Sequence, residues 1–316
     1  MNLDIIGHKK VLNFFDKVID RENLSHAYCF VGTPFVGKKT VAKKIASRLL
    51  SVEQDKLKTN PDFYIIEREL NQKTGKTKKN IDIDQIRGLR RFMSSRPLNK
   101  GYKVAIINDA DIMNDSSANA LLKTLEEPGI NTVIFLIINE QKSVPETIIS
   151  RTQTIYFAPV DKKEIYTYLI SKKIDEKRAE EMSRLSLGLP GLAVKWIDDE
   201  DAYENYRQEV KNFCYLFQKP FYKKIEIVEH LFGDKKDHIV TRENLKSVLN
   251  IWQLLLRDNL LKSFSNSSCI FQLDIEFVKN KKDQIKIIDT IEETKKMLDR
   301  NIHPRLLVEK ILTRLP

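Results

Sequence analysis

The sequence has 316 residues, 41% hydrophobic and 31% charged, and Lys plus Arg outnumber Asp plus Glu by 54 to 44, a formal net charge of +10. That length accommodates two or three domains with buried cores, and no apolar run approaches the roughly 18 residues of a membrane-spanning helix, which excludes a membrane protein. Met1-Asn2-Leu3-Asp4 carries neither the basic nor the apolar segment of an export signal, and the three scattered cysteines, Cys29, Cys214 and Cys269, argue against a disulfide framework or a zinc site; a soluble chain in a reducing cytoplasm is expected.

In the first half, short apolar runs alternate with segments of helical period. The runs are Ala27 to Val31, Phe63 to Ile66, Val104 to Ile107, Val133 to Ile138 and Thr154 to Phe157. Runs without polar alternation predict strands buried on both faces, and strands alternating with helices predict a five-stranded parallel sheet in an α/β core. Between them, Gly37 to Leu50 places Val41, Ile45 and Leu49 on one helical face, and Asp84 to Met93 places Ile86, Leu89 and Met93 on another. Cys29 reads as inert core packing and His26 as a satisfied histidine beside the first strand. After Pro159 the spacing predicts helices over Lys162 to Ser171, Asp175 to Leu187 and Pro190 to Trp196. The charged stretch Asp198 to Glu204 then leads into a long helical region containing Leu249, Trp252, Leu256 and Leu260, and later Leu306, Val308, Ile311 and Leu312. Nine of the ten glycines lie at or before Gly191, which fits a helical C-terminal part.

Gly32-Thr33-Pro34-Phe35-Val36-Gly37-Lys38-Lys39-Thr40 follows a strand and opens a helix. In a P-loop, G-x-x-x-x-G-K-[ST], backbone amides curl round phosphates at a helix N-terminus, the Lys reaches the outer phosphates and the hydroxyl ligates Mg²⁺. Gly32, Gly37 and Lys38 satisfy the pattern, but Lys39 stands at the hydroxyl position. Thr40 lies about 100° further round the helix and does not substitute for it. The strand Val104 to Ile107 ends in Asn108 and Asp109, where a hydrolysing P-loop enzyme carries Asp for the metal and Glu for water. Both departures weaken phosphoryl transfer. Asn71 to Lys100 holds nine basic and two acidic residues, which reads either as a solvated face or as a nucleic-acid contact.

Ser116-Ser117-Ala118-Asn119-Ala120-Leu121-Leu122-Lys123-Thr124-Leu125-Glu126-Glu127-Pro128 and Val144-Pro145-Glu146-Thr147-Ile148-Ile149-Ser150-Arg151-Thr152 resemble segments of bacterial clamp-loader AAA+ subunits, with Thr152 where Cys is usual. Leu24 to Tyr28 and Ile86-Arg87 also match, so the resemblance spans roughly Ile6 to Phe157. The degenerate P-loop, the degenerate strand-end acids, and Pro190-Gly191 at the place of a sensing Arg resemble the delta prime branch of that family. The resemblance implies an α/β AAA+ core with a degenerate P-loop over 1–160, a three-helix lid over 161–203 and an all-α collar over 204–316. It implies a stator in a five-subunit ring with gamma/tau ATPase subunits and a delta subunit, loading the sliding clamp onto primed DNA in the bacterial cytoplasm. Arg151, with Ser150, is then the residue offered in trans to a neighbour's nucleotide; the plainer reading is a surface Arg pairing with Glu146 or capping a helix end. Asn119, Lys123, Glu126 and Glu127 are structural or subunit-contacting. No cofactor is required, nucleotide binding at Gly32 to Lys38 is left open, and no zinc is expected because Leu50 to Asp62 has no cysteine. An ATP-hydrolysing motor subunit and a basic DNA-binding adaptor are the alternatives.

Overall fold

A computed structural model of the protein describes residues 5–68, 80–98, 101–217, 219–232, 238–262, 280–298 and 302–316. Within them the chain divides into two compact units, Met1–Asp175 with Gly188–Ala193, and Glu176–Leu187 with Val194–Pro316. No helix among the described residues is long and apolar enough to cross a membrane.

The first unit is built on a parallel sheet of β1 (Ala27–Val31), β2 (Phe63–Ile66), β3 (Lys103–Ile107), β4 (Thr132–Ile138) and β5 (Gln153–Tyr156), in the order β2-β3-β4-β1-β5. Its helices are α1 (Lys9–Asp20), α2 (Lys38–Leu50), α3 (Ile83–Ser94), α4 (Asp115–Glu126), the single turn α5 (Glu146–Ile149) and α6 (Lys162–Ser171). Successive residues of β1 and β4 point to opposite faces. Tyr28, Phe30 and Phe135 meet Phe15 of α1 on one face, with ring centroids 4.8 Å (Phe15–Tyr28) and 5.3 Å (Phe30–Phe135) apart. Cys29, Ala105, Ile107 and Leu136 face the other way, toward Ile86 and Leu89 of α3 and Leu121 and Leu125 of α4. Every residue of β1, β3 and β4 is buried, as uninterrupted apolar runs require of strands covered by helices on both sides.

The fifth run departs from expectation. β5 pairs with β1 alone, at the edge of the sheet, and its residues are exposed or half-buried; Tyr156 is 66% exposed, and only Phe157 beyond the strand is buried. A single neighbour and an uncovered face leave this strand nothing to bury against.

Local chemistry fixes the helix starts. A capping box between Asp82 and Gln85 begins α3 at Ile83, and Asn114 Oδ1 accepts from Ser117 N at 2.8 Å to begin α4.

The helices that follow are α7 (Glu176–Leu185), α8 (Pro190–Asp198), α9 (Glu200–Leu216), α10 (Phe221–Val228), α11 (His238–Lys262), α12 (Lys281–Met297) and α13 (Pro304–Leu312). The stretch Asp198 to Glu204 is not a connector: Asp198 ends α8, and the Asp199 carboxylate caps α9 through Ala202 N at 2.9 Å. Acidic residues suit that position because the first turn of a helix exposes amides and a positive dipole end. Phe213 of α9 packs on Trp252 of α11 at 5.1 Å between ring centroids, and Leu249 and Leu256 are buried beside it. In α13 the buried residues are Leu307, Val308, Ile311 and Leu312, whereas Leu306 is 62% exposed. At about 100° per residue Leu306 lies opposite the centre of that face.

Candidate functional site

At the carboxyl edge of the sheet, β1 runs into the loop that leads to α2. Gly32 N donates to the Ile138 carbonyl oxygen at 3.3 Å, which ties the loop to the end of β4. Phe35 (φ 63°) and Gly37 (φ 108°) are both left-handed and turn the chain so that α2 starts at Lys38. Glycine meets that requirement freely at 37; at 35 a phenylalanine, half-exposed, accepts the strain. His8 Nε2 lies 2.6 Å from the Val36 carbonyl oxygen, and the ring lies 4.8 Å from that of Phe157. Burial pushes the His8 pKa down, and since a carbonyl only accepts, Nε2 carries the hydrogen.

Lys38 is buried, and its ammonium turns back onto its own loop. It donates to the Gly32 carbonyl oxygen, to Thr33 O at 2.9 Å and to Asn139 Oδ1 at 3.4 Å. Burial pushes its pKa down to about 8, against the opposing pull of Asp111 and Asp109. Asn139, the first residue after β4, is itself held by Asp111: its Nδ2 and its backbone N lie 2.8 and 3.3 Å from Asp111 Oδ2. Asp111 Oδ1 is buried without a hydrogen-bond partner.

Lys39, at the position of the metal-binding hydroxyl, points elsewhere and pairs with Glu67 just beyond β2. Burial raises the Glu67 pKa, but Lys39, Lys43 and Lys58 overcome it and leave the carboxyl below its ordinary value. Thr40 is exposed. Asn108 Nδ2 donates to Asp109 Oδ2 at 3.1 Å, and Arg68 Nε lies 3.7 Å from the same oxygen. Asp109 is left-handed (φ 55°), and burial holds its carboxyl above its usual value, with Arg68 opposing. Gly191, at the start of α8, donates its amide to the Phe35 carbonyl oxygen at 2.8 Å.

Arg151 follows α5, on a turn closed by Ser150 N to Glu146 O at 2.8 Å and Arg151 N to Ile148 O at 3.1 Å. Its Nη2 pairs with Glu126 Oε1 at 2.8 Å, and its Nη1 donates to the Thr147 carbonyl oxygen at 2.9 Å. The anion beside it is therefore Glu126 at the end of α4 and not Glu146, one partner in the plainer reading, while the bond to the Thr147 carbonyl of α5 is a helix-end contact of the kind that reading also named. Asn119, Lys123 and Glu127 are exposed along the same helix.

The structure thus brings Gly32, Gly37, Lys38, Lys39, Asn108 and Asp109 to one edge of the sheet, with Arg151 on the turn before β5. Sequence reading missed Asp111, Asn139, Glu67 and Arg68, and it named Glu126 only as structural or subunit-contacting, without its pairing with Arg151. Asn139 was accessible in principle, because parallel strands end together and the residues just past them form the crevice of an open α/β sheet. His26 differs from expectation: its Nε2 is buried without a hydrogen-bond partner. Of the basic stretch, Lys73, Lys76, Lys78, Lys79 and Lys100 lie outside the described residues, while Arg87, Arg90, Arg91 and Arg96 are exposed on and after α3.

Residues 7–161 match the family described as DNA polymerase III, delta subunit. The DNA polymerase III subunit delta' of Bacillus subtilis is 28% identical over 66% of this chain and 65% of its own length. That of Escherichia coli is 33% identical over 43% of this chain and 39% of its own length, so the matches span from about two fifths to just under two thirds of these relatives. In fold, the chain is similar to a DNA polymerase III gamma subunit-related protein of Thermotoga maritima, with a TM-score of 0.52 over 95% of this chain and 97% of that one at 18% identity. A parallel sheet with the β1–α2 loop at its carboxyl edge, a helical C-terminal portion and relatives of one kind across several bacteria point the same way: through residues 7–161, just under half of its length, the chain is similar to the DNA polymerase III delta subunit family and to the delta' subunits of several bacteria.

Proposed function

We propose that the chain is a non-hydrolysing stator of a DNA polymerase III clamp loader and that it offers Arg151 to the nucleotide of a neighbouring gamma/tau ATPase subunit. The observation that carries the reading is a contrast between two cations. Lys38, which in a working P-loop meets phosphate, is buried on the carbonyls of its own loop and on Asn139; Arg151 is 37% exposed on an ordered turn. An arginine suits a role in trans because its fork is permanently charged and bidentate, and such residues accelerate phosphoryl transfer by about 10³–10⁵ in related NTPases.

The residues at the loop do not fit a magnesium-nucleotide. The hydroxyl position holds Lys39, a cation engaged with Glu67; the metal-side position holds Asn108; and Gly191 N and Phe35 O are hydrogen-bonded to each other at the mouth of the loop. No hydrolytic step is therefore assigned to this chain, no cofactor is required, and with no cysteine between Leu50 and Asp62 no zinc module is assigned either. The division into a core (1–160), a lid (161–203) and a collar (204–316) that joins the ring is part of the same proposal, as are the delta subunit, the sliding clamp and primed DNA as partners of the complex, and a cytoplasmic location.

The test is ATP turnover measured on the isolated chain and on the ring reconstituted with its cognate ATPase and delta subunits, clamp and primed DNA. The isolated chain is expected to be inactive. In the ring, Arg151→Ala should preserve assembly and lower the DNA-stimulated rate by two orders of magnitude or more, given the about 10³–10⁵ that such arginines supply. Turnover by the isolated chain that Lys38→Ala abolishes would establish a motor subunit instead.

A further inference from the structure

Glu126 occupies the last turn of α4 and is followed by Glu127. The C-terminal end of a helix carries the negative end of its dipole and the unpaired carbonyls, so a carboxylate there calls for a cation. The cation supplied is Arg151, 25 positions later in the chain: Nη2 on Glu126 Oε1 at 2.8 Å, Nη1 on Thr147 O at 2.9 Å and 3.5 Å from Ser150 Oγ. Thr147 O also accepts from Ser150 Oγ at 3.1 Å, so the second anchor is itself fixed.

A guanidinium gripped at both terminal nitrogens has its plane set, whereas an arginine held at one point keeps its rotamer freedom. We propose that Glu126 is a positioning residue for Arg151: together with the Thr147 carbonyl it fixes the plane and reach of the guanidinium before a neighbour's phosphate meets it. The inference rests on the trans role of Arg151 and deepens it. Stability is not what the pair provides, because the two side chains are 37% and 49% exposed and such pairs add little to folding. Its value lies in orientation, since ordering Arg151 beforehand removes an entropic cost from the reaction and a misplacement of about 1 Å can cost about 10²-fold in rate.

In the reconstituted ring with clamp, primed DNA and ATP, Glu126→Gln is expected to lower kcat about tenfold, with KM within about twofold, as loss of an orienting partner does elsewhere. Glu126→Asp, which keeps the charge, should recover part of that loss. In the Arg151→Ala background, Glu126→Gln should cost nothing further, and the thermal midpoint of the isolated chain should be unchanged in each single variant. An unchanged or raised kcat in Glu126→Gln, while Arg151→Ala remains impaired, would overturn the positioning role and leave the trans role standing. Additive losses in the double variant would likewise assign Glu126 to a separate function. A silent Arg151→Ala removes the trans role itself, and the positioning of Arg151 with it.

Discussion

Gly191 donates its amide to the Phe35 carbonyl oxygen at 2.8 Å, so the first turn of α8 rests directly on the loop between β1 and α2. A Cβ at this position would sit 2.8 Å from that oxygen and 3.1 Å from the Phe35 Cα, both backbone atoms that cannot swing aside. Gly191→Ala is therefore expected to destabilise the first unit by about 1–3 kcal/mol, the usual cost of forcing an extra methyl into a closed contact. Both tryptophans, Trp196 and Trp252, belong to the second unit, so the measurement is urea denaturation followed by hydrogen exchange at the amides of the loop and of β1. An exchange pattern identical to wild type would mean that the contact is loose.

Lys38 makes the stability of the first unit depend on pH in a stated direction. Its pKa is pushed down to about 8 in the fold from the 10.5 of an ordinary lysine, because burial penalises the charge. The unfolded chain therefore binds more protons between pH 8 and 10.5, and over that window the folded state gains from rising pH. The contribution is complete above pH 10.5 and is lost as pH falls through about 8. Denaturation of wild type and Lys38→Met at pH 7.5 and 10 should show the wild type gaining on the variant by about 1–3 kcal/mol, since a tenfold change in proton affinity corresponds to about 1.4 kcal/mol. A constant difference between the two would place the charge in a better-solvated site.

In the second unit, Glu209 of α9 is buried; its Oε1 accepts from Trp252 Nε1 at 2.8 Å, and its Oε2 lies 3.3 Å from His230 Nε2. Glu209→Ala strands the indole N–H in the core and is expected to cost about 1–3 kcal/mol. Glu209→Gln retains an acceptor and should cost distinctly less. Trp252 makes tryptophan fluorescence a direct reporter of this unfolding, and equal losses for the two variants would show that the hydrogen bond is not the source.

The strands, the helices and the loop that joins β1 to α2 were legible in the sequence because each is set by a few neighbouring residues. Apolar runs without alternation located all five strands to within a residue at each end, and the glycine spacing of Gly32 and Gly37 marked the loop. Legibility failed where the answer depended on what lies across space. The run from Thr154 to Phe157 resembles the other four in composition, yet it took the edge of the sheet, where half-burial is the consequence of one missing neighbour. Leu306 and Leu307 are chemically identical, and only the phase of α13 against its surroundings decided which is buried.

The site divides along the same line. By itself the sequence determined the spacing of Gly32, Gly37 and Lys38 after a strand, with Lys39 next in line and Asn108 and Asp109 at a second strand end, because residue identity at a fixed spacing is a local property. Tertiary structure alone decided what the remaining charges do. Lys38 reaches Asn139, 101 positions away, because β1 and β4 are adjacent parallel strands that end at the same edge. Lys39 meets Glu67 because α2 and the end of β2 converge at that edge, and Arg151 meets Glu126 because α4 and α5 pack together. Charges separated by tens of residues pair according to strand order and crossover geometry, and the whole sheet fixes those together.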